Sequence, residues 1–353
     1  MRSVPAISTV PLASRLAAVG LALAAALAGS VASAPVTGAV PAEAVAAPAL
    51  AGLKVVLTND DSARGLDAGY GTDGKGLYEL RRALCNAGAD VLVVAPWAQQ
   101  SGAGARMTSP GFSPIAMTVQ AVTPPAAYAG DCGAASTGGA VFGVCVAVAP
   151  CTSTSPSASP ADAVNVALSR FAANYWSDGP DVVLSGTNFG QNVGPTLNHS
   201  GTVGAIVTAH EYGVPAVAFS AEVPRDLAQI PNVQFTATAS FAVRLLGSLV
   251  KWGALKDDLV LNVNHPFVGA GETIGRAVKT DVGYGSDLGL SFIDDVPATG
   301  GTYRLTVGAP VPETRRNADT TALARNDIPI TALDGDWGRS MPIQVALLIA
   351  SLR

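Results

Sequence analysis

Near-continuous apolar runs of strand length alternate with helix-period stretches through most of this chain, and few folds accommodate that rhythm. The runs LKVVLTN, ADVLVVAP, DVVLSGTN, VPAVAFS and LVLNVN are short, rich in β-branched residues and bounded by polar or turn residues. Between them lie GLYELRRALCNAG, closing on Gly88, and PADAVNVALSRFAANYW, opening on the capping pair Ser159-Pro160. SGTVGAIVTAHEYG and TATASFAVRLLGSLVKWG continue the pattern. Strands without a polar face must be covered on both sides, so helices are expected on both faces of a parallel sheet. The predicted fold is a doubly wound, mostly parallel α/β domain.

Two stretches break the rhythm. Residues 109–158, rich in Pro, Ser, Thr, Gly and Ala, read as an irregular insertion with extended pieces at SPIAMTVQAV and AVFGVCVAV. Residues 267–318 read as loops and β-structure, including TYRLTV, and predict an arm or subsidiary hairpin. The final MPIQVALLIASLR predicts a helix, and no internal repeat is present.

With 49% hydrophobic and 13% charged residues and a net charge of -5, the chain can bury a large core and is neither disordered nor a basic nucleic-acid binder. Arg2 and Arg15, the apolar run Leu16 to Leu27 and the small residues GSVASA have the layout of a signal peptide, residues 1–34. The run falls short of the roughly 20 residues that span a bilayer. Residues 35–50 follow as a flexible leader, and a secreted or periplasmic protein without stable membrane association is expected.

Export bears on the cysteines. Cys132, Cys145 and Cys151 cluster in the insertion, whereas Cys85 sits in a helical pattern. One bridge within the cluster is expected, leaving Cys85 a buried thiol, although more than one full pairing is open to four cysteines. Zinc is the poorer use, because no CxxC pair occurs and His199, His210 and His265 lack ligand spacing. His210 reads as a surface helix residue and His265 as a loop residue before Pro266.

The candidate site lies where strands end. The run VVLTNDD closes in Asn59, Asp60 and Asp61; the second strand leads to Ser101, and the third to Asn188 and Asn192. Oxygen-bearing side chains thus gather outside the carboxyl ends of parallel strands, where doubly wound sheets keep their crevice. Two carboxylates with hydroxyl and amide oxygens suit a hard divalent cation, Mg²⁺ or Mn²⁺. Ser200, Gly201 and Thr202 open a helix whose amide groups can meet a phosphate, although Ser-Gly-Thr is also simply a good N-cap.

In order along the chain, TNDD, VVAPWAQQSGAG, SPADAVNVAL, PDVVLSGTNFGQNVG with HSGTVGA, GVPAVAFS, LVLNVNHP and TTALARNDIPITALDGD resemble the signatures of the SurE family of metal-dependent 5'/3'-nucleotidases. The resemblance runs from about Leu53 to Asp336 and implies one phosphatase domain, 51–353, with a Rossmann-like core and a C-terminal β-hairpin arm supporting homodimers or homotetramers. Carried over, it implies metal ligands Asp60, Asp61, Ser101 and Asn188, with Asn59, Asn192, Ser200, Gly201 and Thr202 at substrate or phosphate positions. This chain departs from the family at Ser62 (usually Gly), His199 (often Tyr), Thr208 (usually Glu) and in a longer loop, ARGLDAGYGTDGKG.

The implied activity is hydrolysis of nucleoside monophosphates, with the cation neutralising phosphate charge and Asp60 and Asp61 central to the chemistry; His199, beside the phosphate turn, reads either as a general acid or as a loop residue that packs or hydrogen-bonds. The competing functions are a broad-specificity secreted phosphatase, a metal-independent serine esterase using Ser101 or Ser200, and a noncatalytic binding protein. Neither serine lies in a GxSxG elbow.

Overall fold

The computed structural model describes residues 48–65, 74–286, 289–335 and 343–351. The expected signal peptide, most of the leader and the middle of the loop after Ser62 lie outside these residues. In chain order the strands and helices are β1 (Lys54–Thr58), α1 (Lys75–Asn86), β2 (Asp90–Pro96), β3 (Thr118–Ala121), β4 (Val141–Cys145), α2 (Pro160–Val166) and β5 (Val182–Phe189). Then come α3 (Gly201–Glu211), β6 (Ala216–Ala221), α4 (Phe235–Lys251), β7 (Val260–His265), β8 (Ala277–Thr280), β9 (Gly289–Phe292), β10 (Leu305–Gly308), α5 (Asp319–Leu323), β11 (Ile328–Ala332) and α6 (Ile343–Ser351).

Nine strands form one sheet in the order β3-β4-β2-β1-β5-β6-β7-β11-β8. From β4 across to β7 every neighbour runs parallel, and only β3 against β4 and β11 against β7 are antiparallel. The doubly wound expectation therefore holds, with β1 between β2 and β5. Side-chain alternation along β1 explains why its run is wholly apolar. Val55 and Leu57 enter the core shared with Leu77, Leu80 and Leu84 of α1 and Leu246 of α4, while Val56 enters the opposite core with Val164 of α2 and Ile206 of α3. Each such aliphatic side chain contributes roughly 1.5–3 kcal/mol by leaving water.

Local signals placed the helices. Ser159 and Asp162 form a reciprocal capping box at the start of α2, with Pro160 in its first turn. Helix α1 ends at Asn86, two residues before Gly88, whose φ of 89° suits a residue without Cβ. Beyond α2 the helical path continues as π and 3₁₀ turns to Asn174, shorter in regular helix than the sequence pattern predicts.

The insertion 109–158 adds β3 and β4 to one edge of the sheet. Its cysteines correct one expectation. Cys145 pairs with Cys151 inside the cluster, but Cys85 is no free thiol: it bridges to Cys132. The segment before β4 wraps back over α1, where the buried Arg81 donates to the carbonyls of Gly139, Tyr128 and Asp131 and so brings Cys132 beside Cys85. A second correction concerns His265, which closes β7 in the interior at 2% exposure instead of lying in a loop. Burial pushes its imidazole down to about 4, so it stays neutral at ordinary pH.

Within 267–318, β8 returns to the main sheet while β9 and β10 pair as a separate antiparallel hairpin. Leu290, Phe292, Leu305 and Val307 of this hairpin are exposed. Among the described residues no helix is long and apolar enough to cross a membrane.

Candidate active site

The site forms where β1 leaves the sheet. Asn59, Asp60 and Asp61 follow its last residue and are all buried, each carboxylate at 2% exposure. Asn59 is the organising residue. Its Oδ1 accepts from the Asp60 amide at 2.9 Å and from the Thr202 hydroxyl at 3.4 Å; its Nδ2 donates to Asp61 Oδ2 and to the Thr187 carbonyl, both at 3.2 Å. One carboxamide thereby ties the end of β1 to α3 and to β5.

Asp60 points at the start of α3. Its Oδ2 accepts the Thr202 N–H at 3.1 Å, an arrangement the helix dipole favours. Gly201 is needed for the approach, because a Cβ there would stand 2.8 Å from the Asp60 Cβ and 3.0 Å from Pro160. Desolvation pushes the Asp60 carboxyl above its ordinary range, against the Thr202 hydrogen bonds that hold it down. The other oxygen, Oδ1, is buried without a hydrogen bond among the described residues.

Asn188 owes its position to an irregularity in β5. The register against β6 shifts between Ser185 and Asn188, at Gly186, where a Cβ would collide with the Phe219 carbonyl at 2.2 Å. The glycine inside the run DVVLSGTN was the sequence signal for this bulge. Asn188 Nδ2 donates to the Gly190 carbonyl at 2.8 Å, and its Oδ1, like Asp60 Oδ1, is buried without a hydrogen-bond partner among the described residues.

The other predicted residues divide. Ser101 is exposed on the loop after β2 and is linked to Asp61 through Gln99, which the sequence did not single out: the Ser101 amide donates to Gln99 Oε1 at 2.7 Å and Gln99 Nε2 donates to Asp61 Oδ1 at 2.8 Å. Ser200 Oγ accepts the Val203 N–H at 3.1 Å, so this hydroxyl acts as the N-cap of α3. Asn192 belongs to a neighbouring buried network, donating to Ser220 Oγ from Nδ2 and to Asn264 Oδ1 from its amide, with its carbonyl taken by Asn262 and Asn264. Ser220, Asn262 and Asn264 were also missed; the polar alternation in LVLNVN was their signal. His199 is exposed beside Ser200, and among the described residues its ring makes no hydrogen bond. Neither Ser101 nor Ser200 hydrogen-bonds a histidine among the described residues, and nothing in their surroundings assembles a serine nucleophile.

A strand-end pair of carboxylates braced by an asparagine and a helix N-terminus can be set against known proteins. The family model for survival protein SurE matches residues 55–284. This chain belongs to the SurE family. Similar curated relatives include the 5'-nucleotidase SurE of Desulfovibrio desulfuricans, 34% identical over 214 residues, 61% of this chain and 66% of that protein. Thus the aligned region spans just under two thirds of this first relative. The 5'-nucleotidase SurE of Geotalea uraniireducens is 30% identical over 286 residues, covering 80% of this chain and 94% of its own length. That of Nitratidesulfovibrio vulgaris is 31% identical over 287 residues, covering 80% and 87%. Among solved structures, the SurE protein from Aquifex aeolicus has a TM-score of 0.58 at 23% identity, covering 84% of this chain and 98% of that one, a likeness of fold.

The donor set of this SurE-family site fits a hard cation. Among the described residues Asp60 Oδ1 and Asn188 Oδ1 are buried acceptors left without a donor, which is costly unless something positive meets them. The oxygens of Asp60, Asp61 and Asn188 are hard donors, the type that suits such an ion.

Proposed function

We propose that this chain is a metal-dependent phosphomonoesterase that hydrolyses nucleoside 5'- and 3'-monophosphates to nucleoside and phosphate. The reading as a nucleotidase or phosphatase rests on the family and on its curated 5'-nucleotidase relatives. The observation that carries the metal dependence is the pair of orphaned buried oxygens, Asp60 Oδ1 and Asn188 Oδ1, beside a second buried carboxylate.

Asp60, Asp61, Ser101 and Asn188 are the residues that would hold Mg²⁺ or Mn²⁺, and such an ion supplies charge neutralisation for a phosphoryl group. The protein's own part is positional. Asn59 holds Asp61 and the Thr202 amide holds Asp60, while Gly201, having no side chain, lets Asp60 pack against the start of α3. His199, exposed at the rim, is assigned to protonating the departing alkoxide, a step His performs near neutral pH. His199→Ala should then slow hydrolysis of a nucleoside monophosphate about 10²- to 10⁴-fold and that of nitrophenyl phosphate far less; equal losses on both remove the acid role.

The proposal includes export through residues 1–34. Its support is that all four cysteines are paired, as suits an oxidising compartment. It also includes a homodimer or homotetramer built on the apolar β9-β10 hairpin, supported by its exposed Leu290, Phe292, Leu305 and Val307.

The deciding assay is phosphate release from a panel of nucleoside monophosphates, sugar phosphates and an aryl phosphate, with EDTA and with Mg²⁺ or Mn²⁺ restored. Metal-dependent turnover favouring nucleotides is the expected result. Turnover without preference marks a broad-specificity phosphatase; EDTA-resistant turnover or none overturns the proposal.

A further inference from the structure

Gln99 spans two of the positions assigned to the cation. Its Nε2 donates to Asp61 Oδ1 at 2.8 Å, and its Oε1 accepts from the Ser101 amide at 2.7 Å. An ionised carboxylate only accepts and an amide N–H only donates, so a single orientation of the carboxamide satisfies both partners. Asp61 therefore has a side-chain amide on each oxygen, Asn59 on Oδ2 and Gln99 on Oδ1. Two donors on two oxygens set the plane of the carboxylate, where one donor would leave it free to swing.

Asp61 is almost wholly buried whereas Gln99 is exposed, and an exposed side chain held at both ends has given up rotamer freedom for no gain in packing. The backbone that carries it is fixed from behind. Trp97 Nε1 donates to the Thr152 carbonyl at 2.7 Å, and Trp97 packs on the Cys145–Cys151 bridge. The next residue is held by Ser157: the Ala98 amide donates to Ser157 Oγ at 3.0 Å, and the hydroxyl proton is shared between the carbonyls of Ala98 at 3.1 Å and Ala158 at 3.0 Å. The disulfide-closed loop of the insertion thus presents Gln99 to Asp61 from a rigid support.

We propose that Gln99 is a positioning residue: it sets the carboxylate plane of Asp61 and the backbone of Ser101 so that both meet a divalent cation. This rests on the metal-binding reading given above. Residues that hold the ligands of a metal typically change its affinity about 10- to 100-fold when removed. Gln99→Met keeps the length of the side chain and removes both hydrogen bonds; Gln99→Ala shortens it.

The test is Mn²⁺ binding to the full chain without substrate, followed by electron paramagnetic resonance after EDTA treatment and dialysis, together with melting of the metal-free protein. Wild type should bind Mn²⁺, and both variants should bind it about 10- to 100-fold more weakly with an unchanged metal-free melting temperature. Catalysis by the variants should return as Mn²⁺ is raised, since the ligands themselves remain. Equal Mn²⁺ affinity in wild type and variants overturns the role of Gln99 and leaves the metal site standing. Weaker binding that comes with an equally lowered metal-free melting temperature makes Gln99 a fold residue and also overturns it. No Mn²⁺ binding by wild type overturns the metal reading, and this inference with it.

Discussion

The Asp60 carboxylate sits on the N-terminus of α3, with Oδ2 3.1 Å from the Thr202 amide nitrogen. A turn of this kind is ready to receive an external anion, yet here the protein's own carboxylate takes one of its donors. The contact aims Asp60 and leaves its Oδ1 as the orphan. On the proposed reading the Ser200-Gly201-Thr202 turn positions a cation ligand, Asp60.

Asp60→Asn tests that assignment. Metal-dependent turnover should fall by on the order of 10²- to 10³-fold or more. The fold should not suffer. Asp60 has its folded pKa raised by desolvation, so its contribution to stability is present below the ordinary carboxylate pKa and is lost as pH rises through the raised value. At pH 7 in EDTA the neutral Asn should therefore melt no lower than wild type. A variant that keeps full metal-dependent activity refutes the ligand role.

Gly201→Ala should be disproportionately harmful. Alanine in a first helical turn normally gains roughly 0.5–1 kcal/mol over glycine. Here its Cβ would meet Asp60 and Pro160 at 3.0 Å or less, with no flexible chain end to give way. Strain of about 1–3 kcal/mol is expected instead, with Asp60 displaced and Mn²⁺ binding weakened. Calorimetry and Mn²⁺ titration check both parts; a more stable variant with unchanged binding sinks the close-packing claim.

The disulfides should differ in worth. Cys85–Cys132 closes a separation of 47 residues and Cys145–Cys151 one of 6. Chain-entropy reasoning gives about 4 kcal/mol for the first and about 2 kcal/mol for the second. Denaturant unfolding of Cys85→Ser and Cys145→Ser should show this order, with Cys145→Ser the more damaging to activity because its bridge supports Trp97. A thiol titration finding free cysteines in the native oxidised protein would contradict the pairing.

Glu313 should govern part of the acid limb of stability. Burial would raise its carboxyl, but the Thr320 hydroxyl and the amides of Arg315, Gly285 and Tyr284 outweigh that and hold it at about 2. A carboxyl depressed in the folded state stabilises above its unfolded pKa, and that stability drains as pH falls toward the folded value. The melting-temperature gap between wild type and Glu313→Gln should therefore be full near pH 6 and shrink as pH drops toward 2. A gap independent of pH would show that these hydrogen bonds do not select the ionised form.

Periodicity made the sheet and most helices legible, because burial on both faces imposes an apolar run and a helix imposes a repeat, each readable within a dozen residues. Asn59, Asp60, Asp61 and Asn188 were legible for the same reason: polar groups that end an apolar run must lie at the strand's carboxyl end. The partners of those groups were not. Thr202 stands 142 residues from Asp60, Asp131 carries the carbonyl that helps draw the insertion over α1 50 residues away, and Asn192 turns to Ser220 and Asn264. Gln99 was passed over although it lies two residues from Ser101, since only the packed loop shows that its amide meets Asp61. A hydrogen bond depends on where two distant backbones are brought within about 3 Å, and that distance is a product of the assembled sheet, not of any local pattern.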